Sequence, residues 1–373
     1  MALQASSYSE GSRFLANRVS AIPAIAVASL STTRLSSLSQ SVLENDPEGN
    51  APVAVFRTRS LGFVIGSIRP KEIRVGYLEG KVIAVTGAGR GIGRAVALDA
   101  AREGAQIVVN DYGVAMDGRE PTSEVADSVV AEIVALGGQA VANASSVAEM
   151  SGGASIVESA VDHFGRIDGV VCVAGILRER MLFNMTEEEW DPVIATHLKG
   201  TFTVFRAAAV HMRKQKSGTL IGVTSGAFTA SVGQANYSAA KGGIVSLTRS
   251  AAAGLHKYGV TANCIAPAAK SRMSGQVPFG FEMGEPEDVA PLVSFLLGEK
   301  ARHVTGQTYT INGGRIAVWN QPAEIRDMVK EGRWTLDEIG ERLDAEIGQE
   351  PMPILERLEA MAKAAAEGGK PNT

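Results

Sequence analysis

A hydroxyl, a phenol and an ammonium follow one another within a short stretch of the chain, at Ser225, Tyr237 and Lys241. From Tyr237 onward the apolar residues recur at helical spacing, so Tyr237 and Lys241, four residues apart, share one face of a predicted helix. A nearby ammonium lowers the pKa of a phenol from its usual value of about 10. The three groups predict acid–base chemistry on an alcohol or a carbonyl, with Ser225 holding the reacting oxygen.

A glycine-rich turn lies where a dinucleotide would bind. Residues 81–86 form an apolar run of strand type, residues 87–93 read Gly-Ala-Gly-Arg-Gly-Ile-Gly, and a helical pattern covers 94–103. Glycines let backbone N–H groups approach a pyrophosphate at the positive end of the following helix. Because the turn stands between a strand and a helix, it predicts a dinucleotide site.

Asp111 ends a second predicted strand, 106–111, about 18 residues after the turn. A carboxylate there binds the adenosine ribose diol and repels a 2′-phosphate, which favours NAD over NADP. The alternative for Asp111 is a turn or helix cap. Arg90, inside the glycine turn, favours NADP, which stays open as the second cofactor.

Strands and helices alternate along most of the chain. The predicted strands cover residues 81–86, 106–111, 139–144, 167–175, 218–224, 260–266 and 307–311. Most of them are continuously apolar, which predicts an α/β fold, a Rossmann-type doubly wound parallel sheet covered on both faces. Ligands of such sheets bind beyond the carboxyl ends of the strands.

The chain divides into three predicted parts: a disordered extension (1–75), the Rossmann domain (76–318) and a helical C-terminal tail (319–373). Residues 1–43 are rich in Ser, Ala and Leu, with arginines and one acidic residue. This is the composition of an organellar transit peptide, which would place the protein in the mitochondrial matrix. A misassigned upstream start explains the same prefix, and the expected compartment is then the cytoplasm.

Composition argues against several function classes. Forty acidic and 36 basic residues give a net charge of −4, without a basic block interleaved with aromatics, so we expect no nucleic-acid partner. The two cysteines lie in apolar runs, which predicts buried thiols and no disulfide. The five histidines lack metal-ligand spacing, so no metal site is expected. No apolar run is long enough to predict a membrane span.

Taken together, Thr86-Gly-x-x-x-Gly-x-Gly93, Ser225, Tyr237-x-x-x-Lys241 and Ala266-Pro267 resemble the motifs of the short-chain dehydrogenase/reductase family. The resemblance runs from about residue 78 to 314. Residues 109–113, 174–180, 233–241 and 271–273 look most like the (3R)-hydroxyacyl-CoA dehydrogenase part of peroxisomal multifunctional enzyme type 2.

The resemblance implies an enzyme, forming a homodimer or homotetramer, that interconverts a hydrophobic secondary alcohol and a ketone by hydride transfer with NAD(H). A 3-hydroxyacyl or 3-oxoacyl thioester is the foremost substrate. An NADP-dependent 3-oxoacyl reductase, or a steroid or xenobiotic ketone reductase, is the alternative. A non-catalytic dinucleotide-binding sensor is an alternative of another class.

The resemblance also implies roles for individual residues. Tyr237 would be the acid/base, Lys241 would lower its pKa and bind the nicotinamide ribose, and Ser225 would orient the substrate oxygen. His197 lies where the family commonly has an asparagine that holds a proton-relay water; the alternative is an ordinary helix histidine. The residues expected at the cofactor are Gly87, Arg90, Gly91, Ile92, Gly93, Asp111, Ser145, Ser146, Val147, Ala174, Gly175, Tyr237, Lys241 and Pro267.

Some positions depart from the family pattern. Cys172-Val173 replaces two asparagines, so side chains that brace the sheet beside the cofactor are missing, and Ser145 replaces an aspartate at the adenine. Ser225 precedes Tyr237 by twelve residues instead of thirteen, and Thr224 is the substitute hydroxyl if the loop does not absorb the change. An apolar substrate lid is expected within residues 268–284, with its large side chains at Met273, Phe279, Phe281 and Met283.

Overall fold

The computed structural model describes residues 38–44, 53–58, 76–113, 122–270 and 283–366. Residues 1–74 and 75–373 form two separate compact units. In the first unit, where the sequence predicts no regular structure, strand β1 (Leu38–Glu44) pairs antiparallel with β2 (Val53–Thr58). The remainder of the extension lies outside the described residues, as do Met273, Phe279 and Phe281 of the expected lid.

The second unit is built on one eight-stranded sheet, in the spatial order β10-β9-β8-β7-β6-β3-β4-β5. Strands β3 to β9 are parallel, and β10 runs antiparallel to β9 at the edge. The strands are β3 (Val82–Thr86), β4 (Gln106–Asn110), β5 (Gln139–Asn143), β6 (Gly169–Cys172), β7 (Gly218–Val223), β8 (Val260–Pro267), β9 (Thr308–Asn312) and β10 (Arg315–Val318). The predicted parallel sheet is confirmed. β10 is an addition, since four residues are too few to show a pattern.

Helices cover both faces of this sheet. The helices of this unit are α1 (Gly91–Arg102), α2 (Glu124–Ala135), α3 (Met150–Phe164), α4 (Glu187–Ile194), α5 (Gly200–Gln215), α6 (Ala235–Leu255), α7 (Pro286–Leu297), and, in the C-terminal tail, α8 (Leu336–Glu346) and α9 (Pro353–Ala366). Alternate residues of the central strand β3 enter two different cores. Ile83 and Val85 pack with the layer of α1, α2 and α7, whereas Val82 and Ala84 pack with α3 and α5. A strand buried on both sides must be apolar at every position, which explains the continuous apolar runs.

The helical stretch from Glu187 to Gln215 contains a wider turn. Residues Ala195–Lys199 have π-helical geometry and join α4 to α5. His197 lies in this turn and is buried. Single π-helical turns inside α-helices often occur at functional sites, because they displace one side chain from the regular helical register.

The C-terminal tail begins against the sheet. The indole N–H of Trp319 donates to the Thr310 hydroxyl at 2.8 Å, and its ring meets that of Phe228 edge-on, 4.8 Å between centroids. Helix α8 starts with a capping box of Thr335 and Glu338, and it buries none of its residues. Within the described residues, no helix is long and apolar enough to cross a membrane.

Candidate active site

The glycine turn joins β3 to α1 in a form that two glycines make possible. Gly91 has a φ of 51°, a left-handed conformation that side chains disfavour. A Cβ on Gly93 would lie 2.1 Å from the carbonyl oxygen of Gly87, so only glycine lets α1 approach the turn so closely. Arg90, at the N-cap, gives α1 no side-chain capping bond, and the first turn of α1 contains no acidic residue. This helix end therefore fits an anionic pyrophosphate.

Asp111 lies beside this turn. One carboxylate oxygen accepts a hydrogen bond from the backbone N–H of Gly89 at 2.8 Å, and the other accepts from Gly113 at 2.7 Å. Asp111 is thus a turn cap, as the alternative interpretation predicted. Each carboxylate oxygen accepts more than one bond, so the cap still leaves acceptor capacity for a ribose diol. Arg90, on the same turn, is exposed.

Thr86 holds the segment at the end of β6, where Cys172 and Val173 replace the two asparagines of the family pattern. Its hydroxyl oxygen, at the carboxyl end of β3, lies 3.2 Å from the backbone nitrogens of both Val173 and Ala174 and can accept from either. The side chains of Cys172 and Val173 are therefore not needed to hold the segment that follows β6. Thr86 was part of the quoted motif, but its partners lie almost ninety residues away and cannot be read from spacing.

The predicted adenine-side residues follow β5. The hydroxyl of Ser145 donates to that of Ser155 at 3.0 Å, and its backbone N–H donates to the Asn143 side chain at 3.0 Å. Ser146 caps the next turn by accepting from the N–H of Ala148. Val147 is buried instead of lining an open surface. These contacts stiffen the end of β5 beside Asp111.

The acid–base candidates come together at the start of α6. The Lys241 ammonium lies 5.3 Å from the centre of the Tyr237 ring, is buried, and donates to the carbonyl oxygen of Val223 at 2.6 Å. The hydroxyl of Ser225, just past β7, is close enough to the Tyr237 phenol to lower its pKa. The Thr224 hydroxyl instead donates to the carbonyl of Lys241 at 2.8 Å. The loop has absorbed the shortened spacing, and Ser225 is the hydroxyl beside Tyr237.

Burial dominates the electrostatics of this pair. It raises the pKa of the Tyr237 phenol above its ordinary value, and the nearby Ser225 hydroxyl offsets part of the rise. Burial also lowers the pKa of Lys241 to about 7. The expectation of a lowered Tyr237 pKa is therefore wrong for the protein alone, because a low-dielectric site disfavours the phenolate and the ammonium alike.

His197 lies directly against Tyr237. The two rings meet edge-on with 5.2 Å between their centroids. The His197 Nε2 is 2.8 Å from the carbonyl oxygen of Ile176 and 3.2 Å from its backbone nitrogen. Burial lowers the pKa of His197 to about 3, so the ring is neutral. Its Nδ1 is buried and has no hydrogen-bond partner among the described residues.

The remaining cofactor candidates lie at the carboxyl ends of two strands on either side of β7. Ala174 and Gly175 come after β6, and Pro267 ends β8. Cys172 and Cys264 are buried free thiols, as predicted. The described part of the chain contains no cluster of three or more His, Cys, Asp or Glu side chains that could hold a metal ion. The arrangement can bind a dinucleotide and move a proton at Tyr237.

The sequence pattern of the family described as short chain dehydrogenase matches residues 81–277. The chain belongs to the short-chain dehydrogenase/reductase family. The expected enzyme class and fold are thereby confirmed. A solved structure supports the fold directly: the crystal structure of a short chain dehydrogenase from Mycobacterium avium has 46% identity and a TM-score of 0.68, over 74% of this chain and 97% of that one.

Two curated relatives bear on chemistry. A hydroxyacyl-CoA dehydrogenase of Mycobacterium tuberculosis is 40% identical over 302 residues, which are 76% of this chain and 93% of the relative. The mouse peroxisomal multifunctional enzyme type 2 is 45% identical over 241 residues, 64% of this chain and 32% of the relative. This chain therefore spans about a third of the mouse protein, and the predicted resemblance to that enzyme is confirmed.

Proposed function

We propose that the protein is an NAD(H)-dependent oxidoreductase that interconverts a hydrophobic secondary alcohol and its ketone, foremost a 3-hydroxyacyl and a 3-oxoacyl thioester. The observation that carries the proposal is the buried ammonium of Lys241, 5.3 Å from the centre of the Tyr237 ring. The similarity to the mycobacterial hydroxyacyl-CoA dehydrogenase supports a thioester substrate.

A dinucleotide fits the glycine turn, where α1 presents an uncapped positive end and Gly93 leaves room for close approach. Asp111 would bind the adenosine ribose, and Lys241 the nicotinamide ribose. Only one hydrogen-bond acceptor, Val223, is evident for the three N–H groups of Lys241 in the described structure, so ribose hydroxyls can serve as the others. A bound nicotinamide supplies the hydride for reduction and accepts it for oxidation.

The residues of this chain manage the proton. Tyr237 donates its phenolic proton to the carbonyl oxygen during reduction and takes the alcohol proton during oxidation. Ser225 donates a hydrogen bond that holds the same oxygen in place. The Lys241 ammonium stabilises the phenolate that forms, an effect that is strong because the site is buried. Neutral His197 holds its ring against Tyr237 and offers Nδ1 as an acceptor for a relay water.

NAD is the proposed cofactor because the Asp111 carboxylate is fixed beside the glycine turn by two backbone N–H groups. A 2′-phosphate placed there would meet an immobile negative charge. Exposed Arg90 on the same turn supports the second candidate, an NADP-dependent 3-oxoacyl, steroid or xenobiotic ketone reductase. The sensor alternative requires that dinucleotide binds without turnover.

We also propose that the protein forms a homo-oligomer, and we propose the compartment in which it acts. Phe202 and Val210 of α5 are large apolar side chains with exposed surface, which supports a homodimer or homotetramer through this helix. Light scattering after gel filtration gives the mass of the oligomer directly.

The proposed compartment is the cytoplasm, with the mitochondrial matrix as the alternative. The location of a fluorescent protein fused to residues 1–75 distinguishes the two.

The function is tested by NADH and NADPH oxidation with acetoacetyl-CoA and longer 3-oxoacyl-CoAs. The full chain is compared with a form that starts at Val75 and with Tyr237→Phe. The proposal expects turnover with NADH that needs Tyr237 and survives the truncation. Turnover with NADPH alone selects the reductase, and dinucleotide binding without turnover of any ketone selects the sensor.

A further inference from the structure

Asn236, the residue before Tyr237, joins three segments of the chain. Its side chain is fully buried, and its amide nitrogen donates to the carbonyl oxygens of Arg178 at 2.9 Å and of Glu189 at 2.7 Å. Its amide oxygen accepts from the backbone N–H of Tyr237 at 2.7 Å. Each polar atom of this one side chain is bonded, so Asn236 fixes the distance between the start of α6 and the loop that precedes α4.

That loop has a second connection to the same place. The backbone N–H of Arg180 donates to the carbonyl oxygen of Gly233 at 2.8 Å, and Arg180 pairs with Gln234 as an isolated parallel bridge. The side chain of Gln234 also donates to Glu179 at the surface. The loop after β6 is therefore held along the segment that leads into Tyr237, on the side of the sheet where ligands bind.

Beyond this bridge the loop presents apolar side chains to solvent. Leu182 and Phe183, in a single 3-10 turn, are 70% and 79% exposed, and neighbouring Met181 is 44% exposed. Val232, on the facing segment, is exposed as well. Contiguous exposed apolar side chains mark binding surfaces. This group directly follows Arg180, which bridges to Gln234, three residues before Tyr237. We call residues 181–183 the apolar turn.

We propose that Asn236 is a positioning residue that holds the apolar turn beside Tyr237, where the turn forms the wall for the hydrocarbon chain of the substrate. The inference rests on the proposed function for the identity of that chain. The affinity for a substrate rises with each of its methylene groups that is buried against such a wall, whereas a short substrate does not reach the wall. Asn236 would thus couple substrate chain length to catalysis.

The hydrogen bonds of Asn236 to the loop, which we call the tether, are tested without any substrate. Hydrogen–deuterium exchange of residues 177–185 is measured in the wild type, Asn236→Ala and Asn236→Asp. The aspartate keeps the size and the acceptor for the Tyr237 N–H but sets a carboxylate oxygen against two carbonyls, so it breaks the tether with little change of shape. We expect exchange of the Arg180 amide to rise about tenfold or more in both variants. Gln234→Ala removes the side-chain contacts with Glu179 and Ser231, leaves the Asn236 bonds in place and serves as the matched control.

The wall is tested with a chain-length series of 3-oxoacyl-CoAs. In Phe183→Ser and in Asn236→Asp we expect kcat/KM for a ten-carbon chain to fall about tenfold, with acetoacetyl-CoA changed much less. Because both substitutions act through the same turn, the double variant should match the single variants instead of multiplying their effects. NADH affinity should remain within about twofold in each variant, which a general loss of structure would not allow.

Unchanged Arg180 exchange in Asn236→Asp would overturn the tether. Equal losses for short and long chains, or effects that multiply in the double variant, would overturn the wall. Since Leu182 and Phe183 are exposed, Phe183→Ser tests the wall even where an Asn236 variant folds poorly. If the wild type turns over no acyl-CoA, the proposed function fails, while the exchange experiment still decides the role of Asn236.

Discussion

The α-carbon of Gly175 lies so close to the ring of His197 that a Cβ there would stand 2.1 Å from Cε1. His197 in turn meets Tyr237 edge-on. Gly175 after β6 therefore packs against His197 of the π-helical turn, and His197 packs against Tyr237 of helix α6. The glycine is required here by the histidine and not by its own backbone conformation.

Gly175→Ala should push the His197 ring away from Tyr237 and destabilise the protein by about 1–3 kcal/mol, because the site is already filled. Gly254→Ala is the matched control, since a Cβ at Gly254 meets nothing within 4 Å and removes the entropic cost of glycine from α6. Urea unfolding of both variants checks the contrast. Equal stability of the two variants would show that the His197 ring moves aside for the added Cβ without a cost in free energy.

His197 should make the protein sensitive to acid. Its pKa is about 3 in the folded protein and about 6.5 when unfolded, so between these values the unfolded chain binds one more proton. Stability from this group is present above pH 6.5 and is lost as the pH falls, by about 1.4 kcal/mol per pH unit. Unfolding from pH 7 to 4 should show a flatter profile for His197→Asn than for the wild type. Parallel profiles would mean that His197 does not stay neutral.

Lys241 should take up a proton when NADH binds. Its pKa of about 7 leaves it mostly neutral at pH 8, and hydrogen bonds to ribose hydroxyls favour the ammonium. Calorimetry at pH 8 in buffers of different ionisation enthalpy should therefore show an uptake approaching one proton. Lys241→Met should show none. An uptake that persists in Lys241→Met would assign the proton to another group.

Asp111 should set the cofactor preference. Asp111→Asn removes the charge but keeps an acceptor for one of the two backbone N–H groups that the carboxylate binds. We expect the ratio of kcat/KM for NADPH and NADH to rise by about tenfold, since the repulsion of a 2′-phosphate is lost. Arg90→Ala in the same background should reverse part of the gain. An unchanged ratio would remove Asp111 from the account of selectivity.

The parallel sheet and the local motifs of the site could be predicted from the sequence alone. Continuous apolar strands separated by helical patterns specify a parallel sheet, and the glycine turn and the Tyr237–Lys241 spacing are local features. The contacts of Thr86 and Asn236 join segments far apart in the chain, so single-sequence spacing contains no signal for them. The asparagine immediately before Tyr237 is visible in the sequence, but its hydrogen-bond partners are not.

The electrostatics could not be predicted for a related reason. Four-residue spacing places Lys241 near Tyr237, yet the sign of the Tyr237 pKa shift depends on how much water the fold excludes. Likewise, the choice between Ser225 and Thr224 needed the bond from Thr224 to the carbonyl of Lys241. Burial and three-dimensional partners decide both points.

The most direct test of the account is single-turnover and steady-state reduction of a 3-oxoacyl-CoA by Tyr237→Phe. The variant loses only the phenolic oxygen, so NADH should bind as in the wild type while kcat falls by about 10²–10⁴-fold. That result would identify Tyr237 as the group that moves the proton. Turnover within about tenfold of the wild type, with NADH still bound, would contradict the central claim.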